Sequence, residues 1–434
     1  MRKTFVVVPI VLLVGLPLAV AVVSEKETVG VETNSAIHSD VPLDTFLTLS
    51  DPAEEPETRL AALAEIGEKW RPGYAVMMLE SARYARDRRT GNTILGFLSE
   101  QTGKSYGRNL NDWYRWVWNQ DFELHSQYAE FKKKLYARID PRFSEYFSGD
   151  YRTKIRLDEV RWGGVRRDGI PPLKDPETLA ASEATFLADS DVVFGVEFDG
   201  QARAYPKRIL AWHEMVKDHV GGQSINGVYC TLCGSMIVYR TEFEGKHHEL
   251  GTSGFLYRSN KLMYDHETKS MWSTLKGEPV IGPLVGSGIK LEPLFVVTST
   301  WGDWKKMHPD TDVLSLNTGF RRNYGEGVAY HDYFATDELM FTVPEQDDRL
   351  LNKDEILVVR VQDQAPLAIA AKFLRNHPVY QDRLGEQGVV VITDSSGANR
   401  VYEDGGLEFE PGEQDASVRS ADGVTWRVRE DGLH

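Results

Sequence analysis

The hydrophobic pattern changes its period once along the chain, and this change separates a helical part from a strand-rich part. Between residues 41 and 150 apolar side chains recur every three or four positions, as at Leu60, Leu63 and Ile66, which is the period of an amphipathic helix. From about residue 151 the apolar segments are short and are separated by turn signals such as Asp199-Gly200. We therefore predict an α+β protein, with a small helical domain at 41–150 (helix-pair repeats are one way to build it) and a β-rich core domain at 151–335.

The first 23 residues have the composition of a targeting segment. Arg2 and Lys3 precede an apolar run over residues 5–23 that ends in the small residues Ala19 and Ala21. This order is typical of a cleaved signal peptide, but about 20 apolar residues would also span a bilayer as an uncleaved N-terminal membrane anchor. Under both alternatives we expect the rest of the chain to be exported, periplasmic or extracellular, with residues 24–40 as a linker.

The charge balance limits the range of partners. The formal net charge is −15, so the chain lacks the basic surface on which binding to nucleic acid depends. The sequence contains no glycine-rich phosphate loop and no dinucleotide fingerprint, so we expect no nucleotide cofactor. Membrane contact is predicted only through the N-terminal segment, and the helical domain is the predicted surface for a protein partner. No pattern identifies a small-molecule ligand.

The C-terminal residues echo the core domain. Residues 366–394 repeat residues 202–230 at a constant offset, with Ala204, Leu210, His213, Asp218 and Gly221 recurring as Ala368, Leu374, His377, Asp382 and Gly385. We predict that residues 345–434 form a degenerate half-repeat of the core. Asp394 stands where the core has Cys230 and no cysteine follows it, so the repeat lacks the thiols.

Several ordered blocks of the core resemble one known family. They include residues 157–165 (LDEVRWGGV), 168–172 (DGIPP), 204–206 (AYP), 228–234 (VYCTLCG), 263–265 (MYD) and 270–273 (SMWS), followed by Tyr330 and Tyr333. Over residues 155–335 the chain resembles the family of the domain of unknown function 3179. It departs from the common pattern at Thr231, where members often have Pro, and at Asp218, where they often have Asn. The resemblance implies membership but no activity, so whether the protein is an enzyme stays open.

Both cysteines of the chain lie in one CxxC turn, Cys230-Thr-Leu-Cys233. The flanking residues are strand-like, which is typical of a metal knuckle and unlike the helix N-terminus that activates a thioredoxin-type thiol. One hypothesis is a zinc or copper site on Cys230 and Cys233, with His213 as a further ligand. The alternatives are a thiol–disulfide redox pair, and a structural turn in a non-enzymatic binding or scaffold protein.

Three other residues are weaker catalytic candidates. Glu214 and Asp265 have the chemistry of a general acid/base pair, although the sequence does not give their separation. Ser253 is a candidate nucleophile, but Gly254 after it is more typical of a tight turn than of a nucleophile elbow. The recurrence of His213 in the cysteine-free repeat favours a structural histidine over a ligand.

Overall fold

The computed structural model describes residues 11–14, 40–85, 87–361 and 363–434. The predicted signal peptide or anchor therefore lies outside the described residues except for 11–14, and the predicted linker except for residue 40. Within the described ranges, no helix has the length and apolar composition that crossing a membrane requires.

The N-terminal region is helical, as predicted. Its helices are α1 (Leu43–Ser50), α2 (Pro56–Glu68), α3 (Tyr74–Arg83), α4 (Arg88–Thr102), α5 (Leu110–Trp118) and α6 (Tyr128–Ala137). Pro56 begins α2, because a missing N–H costs nothing in the first helical turn. Asp87 and Asn109 cap α4 and α5 by accepting backbone hydrogen bonds. The aromatic segment at Trp113 packs into the shared helical core, where that indole is fully buried.

The rest of the chain is rich in strands. Within the described residues, one strand precedes the helices, β1 (Val11–Val14). The first half of the strand-rich region contains β2 (Val160–Trp162), β3 (Leu173–Lys174), β4 (Thr178–Ala180), β5 (Val192–Phe198), β6 (Gln201–Pro206), β7 (Met215–Val220), β8 (Gln223–Cys230), β9 (Ser235–Arg240), β10 (Glu242–Phe243), β11 (Lys246–His247), β12 (Leu250–Tyr257), β13 (Asn260–Asp265), β14 (Met271–Ser273) and β15 (Glu278–Ile281).

The second half continues with β16 (Pro293–Leu294), β17 (Val297–Thr300), β18 (Asp312–Leu314), β19 (Glu355–Val359), β20 (Leu367–Ala370), β21 (Val379–Leu384), β22 (Gln387–Thr393), β23 (Asn399–Glu403), β24 (Phe409–Pro411), β25 (Ser417–Ser420), β26 (Thr425–Arg429) and β27 (Gly432–Leu433). Four short α-helices interrupt these strands: α7 (Lys207–His213), α8 (Trp301–Met307), α9 (His331–Phe334) and α10 (Ala371–Asn376). Short 3-10 helices lie at Pro141–Glu145, Leu157–Glu159 and Ala181–Glu183.

Three five-stranded sheets form the core domain. Their strand orders are β17-β5-β6-β18-β4, β16-β9-β8-β7-β3 and β15-β14-β13-β12-β2. The second and third sheets share a hydrophobic core in which Val228 from β8, Met263 from β13 and Trp272 from β14 are fully buried. Because β8 and β9 belong to the second sheet and β13 to the third, the turn between β8 and β9 lies where the two sheets meet. The predicted α+β class is confirmed.

The C-terminal region follows the element order of the core. β19, β20, α10 and the meander β21-β22-β23 succeed one another as β5, β6, α7 and β7-β8-β9 do. β21 and β7 have equal lengths and lie at the same offset as the sequence echo. This order is what a repeat predicts, and the half-repeat itself stays a prediction. β1 adds antiparallel to β19 at the edge of this region.

Candidate functional site

The cysteine turn connects two paired strands. β8 ends at Cys230 and β9 begins at Ser235, and the Cys233 N–H donates to the Cys230 carbonyl at 3.1 Å. Gly234 has φ +63°, a left-handed conformation that glycine adopts without a steric penalty. Both cysteines are free thiols and almost fully buried, and their Sγ atoms lie 2.6 Å apart. The strand–turn–strand geometry expected from the sequence is therefore present, and it holds the two sulfurs against each other.

The two thiols differ electrostatically. Burial alone would raise the pKa of Cys230, but the S–H of Cys233 and the backbone N–H of Lys261 donate to its sulfur and lower that pKa overall. The same thiol–thiol hydrogen bond, followed by burial, holds the pKa of Cys233 well above its ordinary value. The Asn260 amide lies 3.1 Å from Cys233 Sγ and 3.5 Å from Cys230 Sγ. Of the two thiols, Cys230 is therefore the one that ionises more readily.

A buried carboxylate stands beside this pair. Glu214 follows α7 in a left-handed conformation, φ +54°, which turns the chain from the helix into β7. Its Oε2 accepts from Lys261 Nζ at 3.1 Å, and its Oε1 accepts from the hydroxyls of Thr231 and Tyr330, each at 3.1 Å. Glu214 is 8% exposed and Lys261 4%. Because Lys261 also donates its backbone N–H to Cys230, one residue connects the carboxylate to the thiolate.

These groups line one cleft of about 490 Å³, a volume that includes its opening to solvent. Cys230, Glu214, Lys261 and Tyr330 contribute its polar lining. Thr252 also lines the cleft, and its buried hydroxyl has no hydrogen-bond partner among the described residues. An unpaired buried hydroxyl is costly unless a ligand or water satisfies it. The remaining lining is mainly apolar and comprises Gly163, Val165, Ile170, Leu232, Gly254, Phe255, Leu256, Met340 and Phe341, together with Thr231.

One irregular segment, residues 315–354, closes the outer side of the site. Its single helix is α9, and Tyr330 just before that helix reaches Glu214. Within α9 the Tyr333 hydroxyl donates to the Leu232 carbonyl at 3.1 Å, which fixes the segment to the cysteine turn. Burial, and then the nearby cysteine sulfurs, raise the pKa of Tyr333 to about 12. Tyr333 is therefore a neutral hydrogen-bond donor at neutral pH.

The other predicted site residues have structural partners. His213 is fully buried, and its ring nitrogens contact the Pro171 carbonyl at 2.9 Å and the Tyr324 hydroxyl at 2.6 Å. Burial lowers the pKa of His213, which keeps the ring neutral. To ligate a metal with the cysteines, this ring would have to give up one of its two hydrogen bonds.

Ser253 and Asp265 stabilise local turns. The Ser253 hydroxyl donates to the Leu262 carbonyl at 2.6 Å and accepts from the Phe255 N–H at 3.0 Å. The Asp265 carboxylate accepts from two backbone N–H groups of the following turn, from the Thr268 hydroxyl and from the Trp272 indole. Of the candidates Glu214, Ser253 and Asp265, only Glu214 lines the cleft with Cys230.

Two residues of the site, Asn260 and Lys261, were not predicted from the sequence. They begin β13 after the tight turn at Arg258 and Ser259, where both residues have positive φ. Neither belongs to one of the blocks of the family resemblance, so no sequence signal pointed to them. Among the described residues, no three His, Cys, Asp or Glu side chains are arranged to hold a metal ion. The zinc or copper site stays a prediction.

Fold and site together define an α+β protein with a buried CxxC dithiol at the floor of a small cleft. The family model described as "Protein of unknown function (DUF3179)" matches residues 167–428. The chain belongs to that family, as the resemblance predicted, and the match extends beyond the core domain into the C-terminal region. No curated protein and no solved structure matches the chain.

Proposed function

We propose that the protein is a thiol–disulfide redox protein in which Cys230 and Cys233 form a reversible dithiol–disulfide couple. The observation that supports this proposal most directly is the 2.6 Å separation of the two Sγ atoms. Disulfide formation needs a thiolate and a second thiol within bonding reach. Burial opposes ionisation of Cys230, but the hydrogen bonds from Cys233 and from the Lys261 backbone lower the pKa of Cys230 overall. Cys230 is therefore the sulfur that would supply the thiolate.

The surroundings of the pair favour chemistry over a purely structural turn. Two buried charges, Glu214 and Lys261, lie beside the thiols and line the same cleft. A buried ion pair seldom stabilises a fold more than apolar residues of similar volume would. The cleft also gives a reactant a route to Cys230, which an inert turn does not need. An exported location, as the N-terminal residues predict, belongs to the proposal, because disulfides persist in oxidising compartments.

The zinc or copper site is the competing proposal, and one preparation tests both. The exported protein is purified without reductant or chelator, its thiols are titrated before and after reduction, and its metal content is measured by elemental analysis. We expect no thiols before reduction, two after it, and no stoichiometric metal. Zinc or copper near one equivalent, lost in Cys230→Ser, would refute the redox couple and support the metal site.

The scaffold alternative gives a third result. A disulfide that resists a large excess of small dithiol under native conditions would be structural rather than redox-active. Cys233→Ser serves as the matched variant, because it keeps Cys230 and removes only the partner. That variant should contain one thiol in both the reduced and the air-exposed protein.

A further inference from the structure

The burial of the cysteine pair limits which oxidant can reach it. Cys230 is 2% exposed and Cys233 3%. A thiolate that exchanges with a protein disulfide has to meet its partner's sulfur in line, which requires an accessible sulfur. On its outer side the turn is bonded to α9, because the Tyr333 hydroxyl donates to the Leu232 carbonyl. The cleft that Cys230 lines opens to solvent and is the route by which a small molecule would approach this sulfur.

The cleft has two chemically different parts. Cys230, Glu214 and Lys261 bring a thiol, a carboxylate and an ammonium group together. Around them the lining is aliphatic and aromatic, and it ends at Met340, which is 52% exposed. A ligand that fits both parts has an apolar body and a small, reactive polar head. The unpartnered Thr252 hydroxyl offers that head one hydrogen bond.

We propose that the oxidant of the dithiol is a small organic hydroperoxide whose apolar body lies against the aliphatic part of the cleft, with its O–O group at Cys230. This inference rests on the proposed redox function. A hydroperoxide needs only its terminal oxygen to touch the sulfur, which suits a buried sulfur that lines a narrow cleft. Cys233, in contact with Cys230, is placed to resolve the oxidised sulfur at once.

The hydroperoxide is the only oxidant that this reaction needs. The Cys230 thiolate attacks the terminal oxygen of ROOH, the O–O bond breaks, and the electron pair leaves with RO⁻, which takes a proton from the Lys261 ammonium group to give ROH. The Cys233 sulfur then attacks the Cys230 sulfenic acid, forming the disulfide, and its proton leaves with the hydroxide as water. A small dithiol reaching the same cleft reduces the disulfide, is itself oxidised to a cyclic disulfide, and restores both thiols. Solvent returns the proton to Lys261.

The test compares oxidants on the reduced full-length protein. Cumene hydroperoxide, hydrogen peroxide and oxidised glutathione are each mixed with it, and disulfide formation is followed by mass, with free cysteine as the reference thiol. For each oxidant, the rate with the protein is divided by the rate with free cysteine. We expect this ratio to be at least about tenfold higher for cumene hydroperoxide than for hydrogen peroxide, because one additional buried methylene group changes reaction rates in an apolar pocket by about that factor. Equal or slower reaction with cumene hydroperoxide would overturn the inference.

The comparison also separates this inference from the function on which it rests. If oxidised glutathione forms the disulfide, and the protein reacts no faster with cumene hydroperoxide than with hydrogen peroxide relative to free cysteine, the redox couple stands and the hydroperoxide assignment fails. If no oxidant forms a disulfide between Cys230 and Cys233, both fail.

A rim variant locates the effect in the cleft. Met340→Glu places a charge at the apolar opening, whereas Leu351→Glu makes the same change at a 66% exposed position that does not line the cleft. Met340→Glu should lower the preference for cumene hydroperoxide about fivefold or more, because the charge opposes an apolar body. Leu351→Glu should leave the preference unchanged. An equal effect of the two variants would overturn the placement of the organic group.

Discussion

Replacing Lys261 with Met should weaken the sheet around the cysteine turn by about 3 kcal/mol, because it leaves the Glu214 carboxylate buried without its cation. The side chains of Glu214 and Lys261 are 11% and 6% exposed, and their charged atoms lie 3.1 Å apart. Breaking such a pair costs roughly 3–5 kcal/mol. We take the lower end because the hydroxyls of Thr231 and Tyr330 still donate to the carboxylate after the change.

The effect can be read locally by hydrogen exchange. The Tyr229 N–H in β8 donates to the Glu214 carbonyl at 2.9 Å, so a peptide covering β8 reports the opening of this part of the sheet. A loss of about 3 kcal/mol corresponds to roughly 100-fold faster exchange of that peptide in Lys261→Met. The double variant Glu214→Gln/Lys261→Met should recover most of this loss, because it removes both charges together.

A matched control lies on the neighbouring strand. Lys217 pairs with Glu249 at 2.9 Å, but the side chains there are 17% and 42% exposed. Lys217→Met is the same substitution at a more exposed pair, and it should cost less than about 1 kcal/mol. Two results would show that Glu214 and Lys261 are not a buried, coupled pair. One is equal acceleration of exchange by Lys261→Met and Lys217→Met, and the other is a loss of stability in the double variant that equals the sum of the losses in the two single variants.

Three further predictions concern the C-terminal ion cluster and the thiols. Arg400→Met, which leaves the buried carboxylates of Asp394 and Glu430 without their cation, should destabilise the C-terminal region by about 3–5 kcal/mol in hydrogen exchange; an effect below that of a surface variant would contradict it. Burial alone would raise the pKa of Glu430, but Arg400 lowers that pKa overall. The stabilisation from the Glu430–Arg400 pair is therefore complete above the unfolded carboxyl pKa of about 4.3 and is lost progressively as the pH falls below that value. Because Arg400→Met removes this pair, the melting temperature of the variant should fall less steeply with decreasing pH in the acid range. Cys233→Ala removes the S–H that donates to Cys230, so the pKa of Cys230 should rise in a titration of thiolate absorbance; an unchanged or lower value would contradict the assigned donor.

Local signals predicted the elements well. The turn signal at Asp199-Gly200 is confirmed, because the structure has a two-residue turn there between β5 and β6, and such a turn depends on only a few neighbouring residues. The strand–turn–strand form of the cysteine segment followed from its β-branched flanks in the same way.

The chemical surroundings of the cysteines could not be predicted in this way. Tyr330 lies 116 positions from Glu214 in sequence, and Lys261 lies 47 positions from it. Their contact depends on how two sheets pack and on where an irregular segment crosses the turn, and neither is encoded in short-range periodicity. Glu214 was a candidate because a carboxylate can act as a general acid or base, and its actual partners came from the tertiary fold.

A redox titration decides whether Cys230 and Cys233 form a reversible couple. The full-length protein is equilibrated with mixtures of oxidised and reduced dithiothreitol, quenched with an alkylating reagent, and the peptide containing Cys230 and Cys233 is weighed. We predict one reversible two-electron transition between dithiol and disulfide, with a tenfold change in the ratio of the two forms for about 30 mV. A peptide that keeps both thiols free at every ratio, or that titrates only after bound metal is removed, would show that the two cysteines are not a redox couple.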